Sequence, residues 1–420
     1  MKLSIQHFLR ANYSILFVIL LIAVSCKSNK EGIEEQPNSL NFEFKDKIDE
    51  QVLKNYLSRS ITLTFISSPS ANVEEDLQFI QDIGAKYISR AITPWRAETD
   101  YEKATLKYKT VIDEAHKFDS DIVFETCIFE TVFPNVEEVE IPHWVFNAFD
   151  LPVEKRVFNY DLMLFPNGDF HNHWGNGGSV PDITQLETQL YFYFRACKYI
   201  DAGFEAIHWG QVLLMGKDDP NSSSYFKLLE KVRQYAKENS RRGFVLHNAH
   251  THGIKDKQNN LLFDFHCFPI RMRTPKGAEM HAISDSTPQV TLLEEGYLDA
   301  IYNKSVGGVT PSGWECNSLP YFVEIDNYGQ DKNNLNIPGI EYWPWGMDEI
   351  SWFANQPASY RSDWLQFAHN WIRETDDAGF LCMPGSRPYY SIEEDRNSWY
   401  NINSPLFESD KDAILAIWKK

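Results

Sequence analysis

Carboxylates follow apolar, strand-like runs at several points in this sequence. The clearest case is YFVEIDNYG, residues 321–329, which contains Glu324 and Asp326. If this run is extended, the two acids share one face, about 6.5 Å apart along the chain. The segment DIVFETCIFE, residues 121–130, has the same form and contains Glu125. A pair of carboxylates can cleave a glycosidic bond, one as acid and the other as base or nucleophile. Glu324, Asp326 and Glu125 are therefore the predicted catalytic residues.

Other polar and aromatic side chains end further strand-like segments or lie in neighbouring loops. Trp stacks on the apolar faces of sugars, whereas His, Asn and Gln bond to hydroxyl groups and Arg binds carboxylates. Most of the aromatic residues, 14% of the chain, are expected to fill the core instead. The predicted substrate-binding residues are Trp174, His208, Trp209, Gln211, His247, Asn248, His250, Trp343 and Arg387.

Two pairs of histidines raise the question of a metal site. His171 and His173 form one HxH pattern, and His250 and His252 form another. Imidazoles and carboxylates that meet at one point can bind a transition metal. However, HxH is a short pattern, HExxH is absent, and an ordinary loop or core position fits each histidine as well. We predict no cofactor and keep a divalent metal as an alternative.

Alternating strand and helix signals indicate the elements that position these residues. Such alternation favours a parallel sheet in an α/β fold. Our first choice is a (β/α)8 TIM-like barrel with loop insertions, whose site lies at the C-terminal ends of the strands. The second choice is a doubly wound open sheet. The predicted strands are 61–67, 86–92, 121–130, 158–165, 205–211, 244–250, a seventh starting at 321, and 380–388; the segment 261–273 is either an extra strand or a displaced barrel strand.

The N-terminus has the form of a targeting segment. Lys2 and Arg10 precede an apolar run at 14–25 that is too short for an ordinary membrane-spanning helix. Small residues before Cys26 resemble the lipobox of lipoproteins of the type found in Bacteroidota. The resemblance implies that Cys26 is lipidated and anchors the protein to the outer membrane of the cell envelope, on either its periplasmic or its cell-surface face. Ordinary signal-peptide cleavage is the alternative. The predicted organisation is a signal peptide at 1–25, a flexible tether at 26–42 and one catalytic domain at 43–420, with an insertion around 254–320.

Charge and missing motifs exclude other classes of protein. The net charge of −19 argues against a nucleic-acid partner, because binding phosphates requires a basic surface. GxSxG and GxxxxGK[ST] are absent, so a serine hydrolase or a P-loop NTPase lacks its marker.

The strand-then-acid form of FVEIDN, the aromatic content and the export signal loosely resemble the superfamily of (β/α)8-barrel glycoside hydrolases. In many of those families a catalytic Glu ends strand seven, which corresponds here to Glu324. They often place the acid after Asn at the end of strand four, and this sequence has no Asn-Glu pair there. The resemblance implies a carbohydrate substrate and a glycosidase reaction. Two alternatives stay open: a glycan-binding lipoprotein without catalysis, and a metal-dependent hydrolase that uses the histidines.

Overall fold

The computed structural model describes residues 40–66, 72–272, 290–291, 304–329 and 348–419, with only the backbone described at 271–272 and 290–291. Phe42–Lys420 forms one unit. None of the helices in the described ranges has the length and apolar character needed to cross a bilayer. The predicted signal peptide, with Cys26, and most of the tether lie outside the described residues, so these boundaries stay predictions.

Strands and helices alternate along most of the described chain. The strands are β1 Ser60–Leu63, β2 Tyr87–Ile92, β3 Val123–Cys127, β4 Ala206–His208, β5 Leu246–Asn248, β6 His266–Pro269, β7 Arg271–Met272, β8 Val290–Thr291, β9 Gly308–Val309, β10 Glu315–Cys316, β11 Tyr321–Glu324, β12 Gly379–Leu381, β13 Met383–Ser391 and β14 Arg396–Asn401. The helices are α1 Glu50–Leu57, α2 Val73–Ile83, α3 Tyr101–Phe118, α4 His143–Ala148, α5 Leu186–Asp201, α6 Val212–Met215, α7 Ser223–Asn239, α8 Glu349–Ala354, α9 Ala358–Thr375 and α10 Glu408–Trp418.

A parallel barrel of eight strands closes from β1 to β6, β11 and the strand formed by β12 and β13 together. Strands β1 to β5 pair in sequence, and β11 lies between β6 and β12. A parallel bridge between His250 and Cys267 joins the end of β5 to β6. On the other side, Cys382 alone separates β12 from β13, and β13 pairs with β1. Since β12 and β13 form one continuous strand, the ring is complete, and the predicted (β/α)8-type fold is confirmed.

The predicted fourth strand, 158–165, is wrong. That segment is a loop with a short 3-10 helix at Asp161–Met163, and its Leu164 makes only an isolated bridge to Pro181. The fourth barrel strand is Ala206–His208, predicted as the fifth. The ambiguous segment 261–273 supplies the true sixth strand, β6, within the predicted insertion. The β5–β6 connection, residues 249–265, contains no helix. The expected alternation of strands and helices therefore did not locate β6.

Apolar side chains fill the N-terminal half of the barrel interior. Alternate strand residues point inward, including Tyr87, Val123 and Phe322, and they pack with Leu53 and Tyr56 of α1. Helix α1 therefore covers the N-terminal end of the barrel. A larger apolar cluster lies between the barrel wall and the outer helices. With one end filled, the polar side chains inside the barrel gather towards the C-terminal end of the strands.

Candidate active site

A buried group of charged side chains lies at the C-terminal end of the barrel. We call it the mouth cluster, and it consists of Arg90, His250, Glu324, Asp326 and Arg387. Each residue lies at or just after the C-terminal part of a barrel strand. Parallel strands bring these ends to one rim, which is where barrel enzymes carry their sites. Residues far apart in the sequence therefore meet at this point.

Arg90 reaches the cluster because β2 is irregular. The pairing of β2 with β3 changes register between Ile88 and Ile92, and Arg90 has a left-handed backbone with a φ of 60°. A bulge of this kind redirects the side chain. Arg90 is buried, and its guanidinium donates to both oxygens of Glu324, with Nε 3.3 Å from Oε2. The irregularity thus delivers a positive charge to the centre of the mouth.

Glu324 is fully buried and surrounded by groups that favour its charged form. The Cys267 thiol donates to its Oε1 over 2.9 Å, and His250 Nε2 lies 3.3 Å from the same oxygen. Burial alone raises the pKa of this carboxyl, but Arg90, together with His250 and Arg387, outweighs burial and holds the pKa of Glu324 well below its ordinary value. Glu324 therefore stays ionised and can supply negative charge or a nucleophile, but not a proton.

Asp326 is the more accessible acid of the pair, with a side chain that is 8% exposed. Its oxygens lie 3.8 Å from Arg90 Nη2, 3.7 Å from Arg387 Nη1 and 3.9 Å from His250 Nε2. His250 Nε2 is also 3.3 Å from Glu324 Oε1, so the two carboxylate oxygens are at most about 7.2 Å apart, the sum of the two distances through His250. Among the described residues, no side-chain hydrogen bond to the Asp326 carboxylate occurs, which leaves it open to a ligand.

Three mouth residues could in principle bind a metal ion. Ligand atoms of His250, Cys267 and Glu324 all lie within 4.8 Å of one another, and the described residues contain no other such group. However, Arg90 Nη2 lies 3.2 Å from His250 Nε2 and bonds to Glu324 Oε1. A fixed guanidinium next to two of the three ligands repels a cation. The donor set therefore fits a divalent metal poorly, and His171, His173 and His252 do not join it.

A chain of hydrogen bonds inside the barrel links Glu125 to His208. The buried Glu125 carboxylate accepts from the Tyr87 hydroxyl over 2.6 Å, from Ser89 Oγ over 2.7 Å and from Asn248 Nδ2 over 2.6 Å. Asn248 Oδ1 is then 2.7 Å from Nδ1 of His208. Burial raises the pKa of Glu125 above its ordinary value, against the lowering effect of these donors and a nearby arginine. Both oxygens are occupied, so Glu125 orients its neighbours in this arrangement.

An aromatic strip extends from the mouth towards solvent. The Arg90 guanidinium lies 5.6 Å from the ring of Phe129, which also lies 6.1 Å from the His208 ring. Trp95 follows at 5.4 Å from Phe129, and Trp174 at 5.6 Å from Trp95. Trp95 is 36% exposed, and Trp174 is half-buried. Exposed indole rings beside charged groups are suited to the apolar faces of sugar rings.

Three predicted binding residues lie away from the mouth cluster. Trp209 and His247 are buried on the outer side of the barrel wall, where the Trp209 indole N–H donates to His247 Nδ1 over 3.1 Å. Strand alternation explains this, since each is next to an inward-facing residue. Gln211 follows β4, and its backbone N–H and Nε2 both donate to Glu130. Gln211 therefore ties two loops together.

Two other predicted residues, Trp343 and Cys26, lie outside the described residues. Several members of the site were not among the predicted residues: Arg90, Trp95, Phe129, Cys267 and Tyr328, whose ring lies 5.1 Å from the Arg387 guanidinium. A lone Arg in the apolar run YISRAI was the available signal for Arg90. Trp95 and Phe129 had no distinguishing signal among so many aromatic residues.

Comparisons with known proteins give no close relative. No family model matches the chain, and no curated protein matches it either. Among solved structures, it is similar to a Nostoc punctiforme debranching enzyme soaked with acarbose, at 13% identity and a TM-score of 0.41 over 83% of this chain and 72% of that one. The native form of that enzyme gives 11% identity and a TM-score of 0.38 over 83% and 70%.

A trehalose-6-phosphate hydrolase from Bacillus licheniformis matches at 12% identity and a TM-score of 0.27, over 46% of this chain and 42% of that one. At such identities and TM-scores these likenesses carry no argument about activity, and the strand order described above establishes the fold. The (β/α)8-type fold that the resemblance implied is therefore confirmed by the strand pairing alone.

Proposed function

We propose that the protein hydrolyses a glycosidic bond of a carbohydrate bound at the barrel mouth. The observation that carries the proposal is the pair formed by Glu324 and Asp326 at the C-terminal end of β11, one buried and ionised, the other more accessible. Glycosidic cleavage develops positive charge on the sugar, which an ionised carboxylate stabilises or attacks. Glu324 takes this role, and Asp326 transfers the proton.

The aromatic strip supplies a binding surface next to these acids. Phe129, Trp95 and Trp174 follow one another from the mouth outward, with 5.4 and 5.6 Å between successive ring centres. Successive ring planes are tilted by 55° and 76°, so the strip offers both faces and edges of aromatic rings to a ligand. A carbohydrate can stack on the strip and donate to or accept from the polar groups of the mouth.

A second function, glycan binding without catalysis, is favoured by one observation. Arg90 and Arg387 each lie within 3.8 Å of both Glu324 and Asp326. Because these arginines keep Glu324 in its charged form, only Asp326 of the pair is left for the general-acid role that hydrolysis needs. In this alternative the same mouth and strip bind the glycan, and the cluster only orients it.

Binding and turnover measured together separate the two functions. The purified protein is tested against amylopectin, pullulan, xylan, galactan and pectin by affinity electrophoresis and by release of reducing ends. Hydrolysis predicts a glycan that is both bound and cleaved, with cleavage lost in Glu324→Gln. Asp410→Asn is the matched control, because Asp410 also pairs with a buried arginine, Arg361, over 2.8 Å, but lies outside the mouth cluster. Binding without cleavage by the unchanged protein would contradict hydrolysis.

We also propose that the protein is exported and lipid-anchored at Cys26. The basic N-terminus, the apolar run at 14–25 and the small residues before Cys26 support this. Cells fed labelled palmitate are expected to label the unchanged protein and not the Cys26→Ala variant. Equal labelling of both would contradict the anchor.

A further inference from the structure

The tautomer of His208 follows from its hydrogen bonds. Asn248 donates its Nδ2 to the Glu125 carboxylate, which fixes the orientation of the amide and turns Oδ1 towards His208. An amide oxygen only accepts, so Nδ1 of His208 must carry the proton. Burial, with Arg90 and His250 nearby, holds the pKa of His208 well below its ordinary value. His208 is therefore neutral, and its Nε2 carries a free lone pair.

Nε2 of His208 is buried, and it has no hydrogen-bond partner among the described residues. It lies on the edge of the ring opposite Nδ1, in a side chain whose ring is 4.7 Å from that of His250 and 6.1 Å from that of Phe129. A buried acceptor without a donor is unfavourable, and such atoms in native proteins mark positions that a ligand or water completes. The missing partner must be a donor.

Other unpartnered groups at the mouth complement this acceptor. Within the described ranges, Nε and Nη2 of Arg387 and the hydroxyl of Tyr328 are also buried without a hydrogen-bond partner. The Arg387 guanidinium lies 5.1 Å from the Tyr328 ring. The mouth thus offers fixed donors from Arg387, a fixed acceptor from His208 and a hydroxyl that can do either. Only a ligand that both donates and accepts can satisfy this set.

We infer that Nε2 of His208 accepts a hydrogen bond from a hydroxyl group of the ligand, so that the mouth selects polyhydroxylated ligands over an acceptor-only oxyanion such as sulfate. This inference rests on the proposed carbohydrate function and makes it more specific. Sulfate can bond to Arg387, but it offers no donor to His208 and is repelled by Glu324 and Asp326. The chain from Glu125 through Asn248 is what keeps His208 in the accepting form.

Nitrogen NMR of the full chain labelled with ¹⁵N-histidine tests the inference directly. The His208 signals are assigned from their loss in His208→Asn. In the free protein, Nδ1 is expected to be protonated and Nε2 unprotonated at neutral pH. Glucose, galactose, mannose and xylose are added in turn, and at least one is expected to shift the Nε2 resonance, whereas sulfate leaves it unchanged. A proton on Nε2, or no shift with any of the four sugars, overturns the inference, whether or not a glycan is cleaved.

Two substitutions of His208 distinguish ligand contact from a structural role. His208→Asn places an amide near the position of Nδ1, where it can keep the bond to Asn248 but cannot replace Nε2. His208→Gln places an amide near Nε2 and gives up that bond. For the sugar that shifts the resonance, affinity is expected to fall on the order of tenfold in His208→Asn and less in His208→Gln. The opposite ranking, with melting temperature falling in parallel, identifies a structural role and overturns the inference.

Discussion

Substitution of Glu324 by Gln tests how strongly the mouth cluster depends on its ion pair. Glu324 is 0% exposed and Arg90 1%, so the substitution leaves a guanidinium buried without its closest counter-charge. Breaking a buried pair from one side costs about 3–5 kcal/mol, because the remaining charge is not solvated. A chain of this size unfolds with an entropy of about 0.8 kcal/mol per kelvin, from about 2.1 cal/mol/K per residue. The melting temperature should therefore fall by about 4–6 °C.

Differential scanning calorimetry measures this change, with Glu187→Gln as the matched control. Glu187 pairs with Arg156 over 2.7 Å, but Arg156 is 32% exposed, so water solvates its charge after the substitution. The control should lose about 1 kcal/mol or less, which is about 1 °C. Replacing both partners, as in Arg90→Met with Glu324→Leu, should be less harmful than Glu324→Gln alone. A loss in Glu324→Gln no larger than in the control would refute the reasoning.

Four further outcomes follow from the same contacts. Because the folded state favours ionised Glu324, the unfolded chain binds a proton at this residue more readily than the folded chain does. The difference in melting temperature between the unchanged protein and Glu324→Gln should therefore stay constant from neutral pH down to the unfolded pKa of about 4.3 and become smaller below it. A difference that grows in acid would contradict this. Gly210→Ala should destabilise the protein in calorimetry, since its φ is +60° and the new Cβ would lie 2.0 Å from Glu130 Oε2; an unchanged melting temperature would show that the loop adapts. Trp95→Ala should weaken glycan binding on the order of tenfold in affinity electrophoresis with little change in melting temperature, and unaltered binding would remove the strip from the site. Chelator should leave melting temperature and turnover unchanged because Arg90 repels a cation, and loss that added zinc restores would reopen the metal hypothesis.

The fold was predictable to the extent that each strand carries its own signal. Long runs of β-branched and aromatic residues gave β1, β2, β3 and β11 close to their true positions. The prediction of a fourth strand at 158–165 was wrong because FNYDLMLF has the apolar content of a strand, although the segment folds as a loop with a short 3-10 helix. Strand Ala206–His208 has only three residues, so it is defined mainly by its pairing with neighbouring strands. A local sequence pattern carries no information about that pairing.

Site residues were predictable where they directly follow a strand with a clear sequence pattern. They were not predictable where a bulge sets the direction of the side chain. Glu324 and Asp326 end a clear strand, so the seventh-strand position placed them at the mouth. Arg90 lies inside the apolar run of β2, and only a register shift turns it inward. Trp209 and His247 looked equivalent to His208 and Asn248, but alternation places them on the outer wall. The inward face could be assigned only once the register was known.

The central claim is that two carboxylates at the barrel mouth cleave a glycosidic bond. The rate of glycan cleavage tests this claim most directly. Release of reducing ends from the glycan that the protein binds best is compared between the unchanged protein and Asp326→Asn. Loss of the proton-transferring group should lower the rate on the order of 10²–10⁴-fold, while glycan affinity and melting temperature stay near their original values. Full activity in Asp326→Asn, or binding without any cleavage by the unchanged protein, would contradict the claim and leave a glycan-binding barrel.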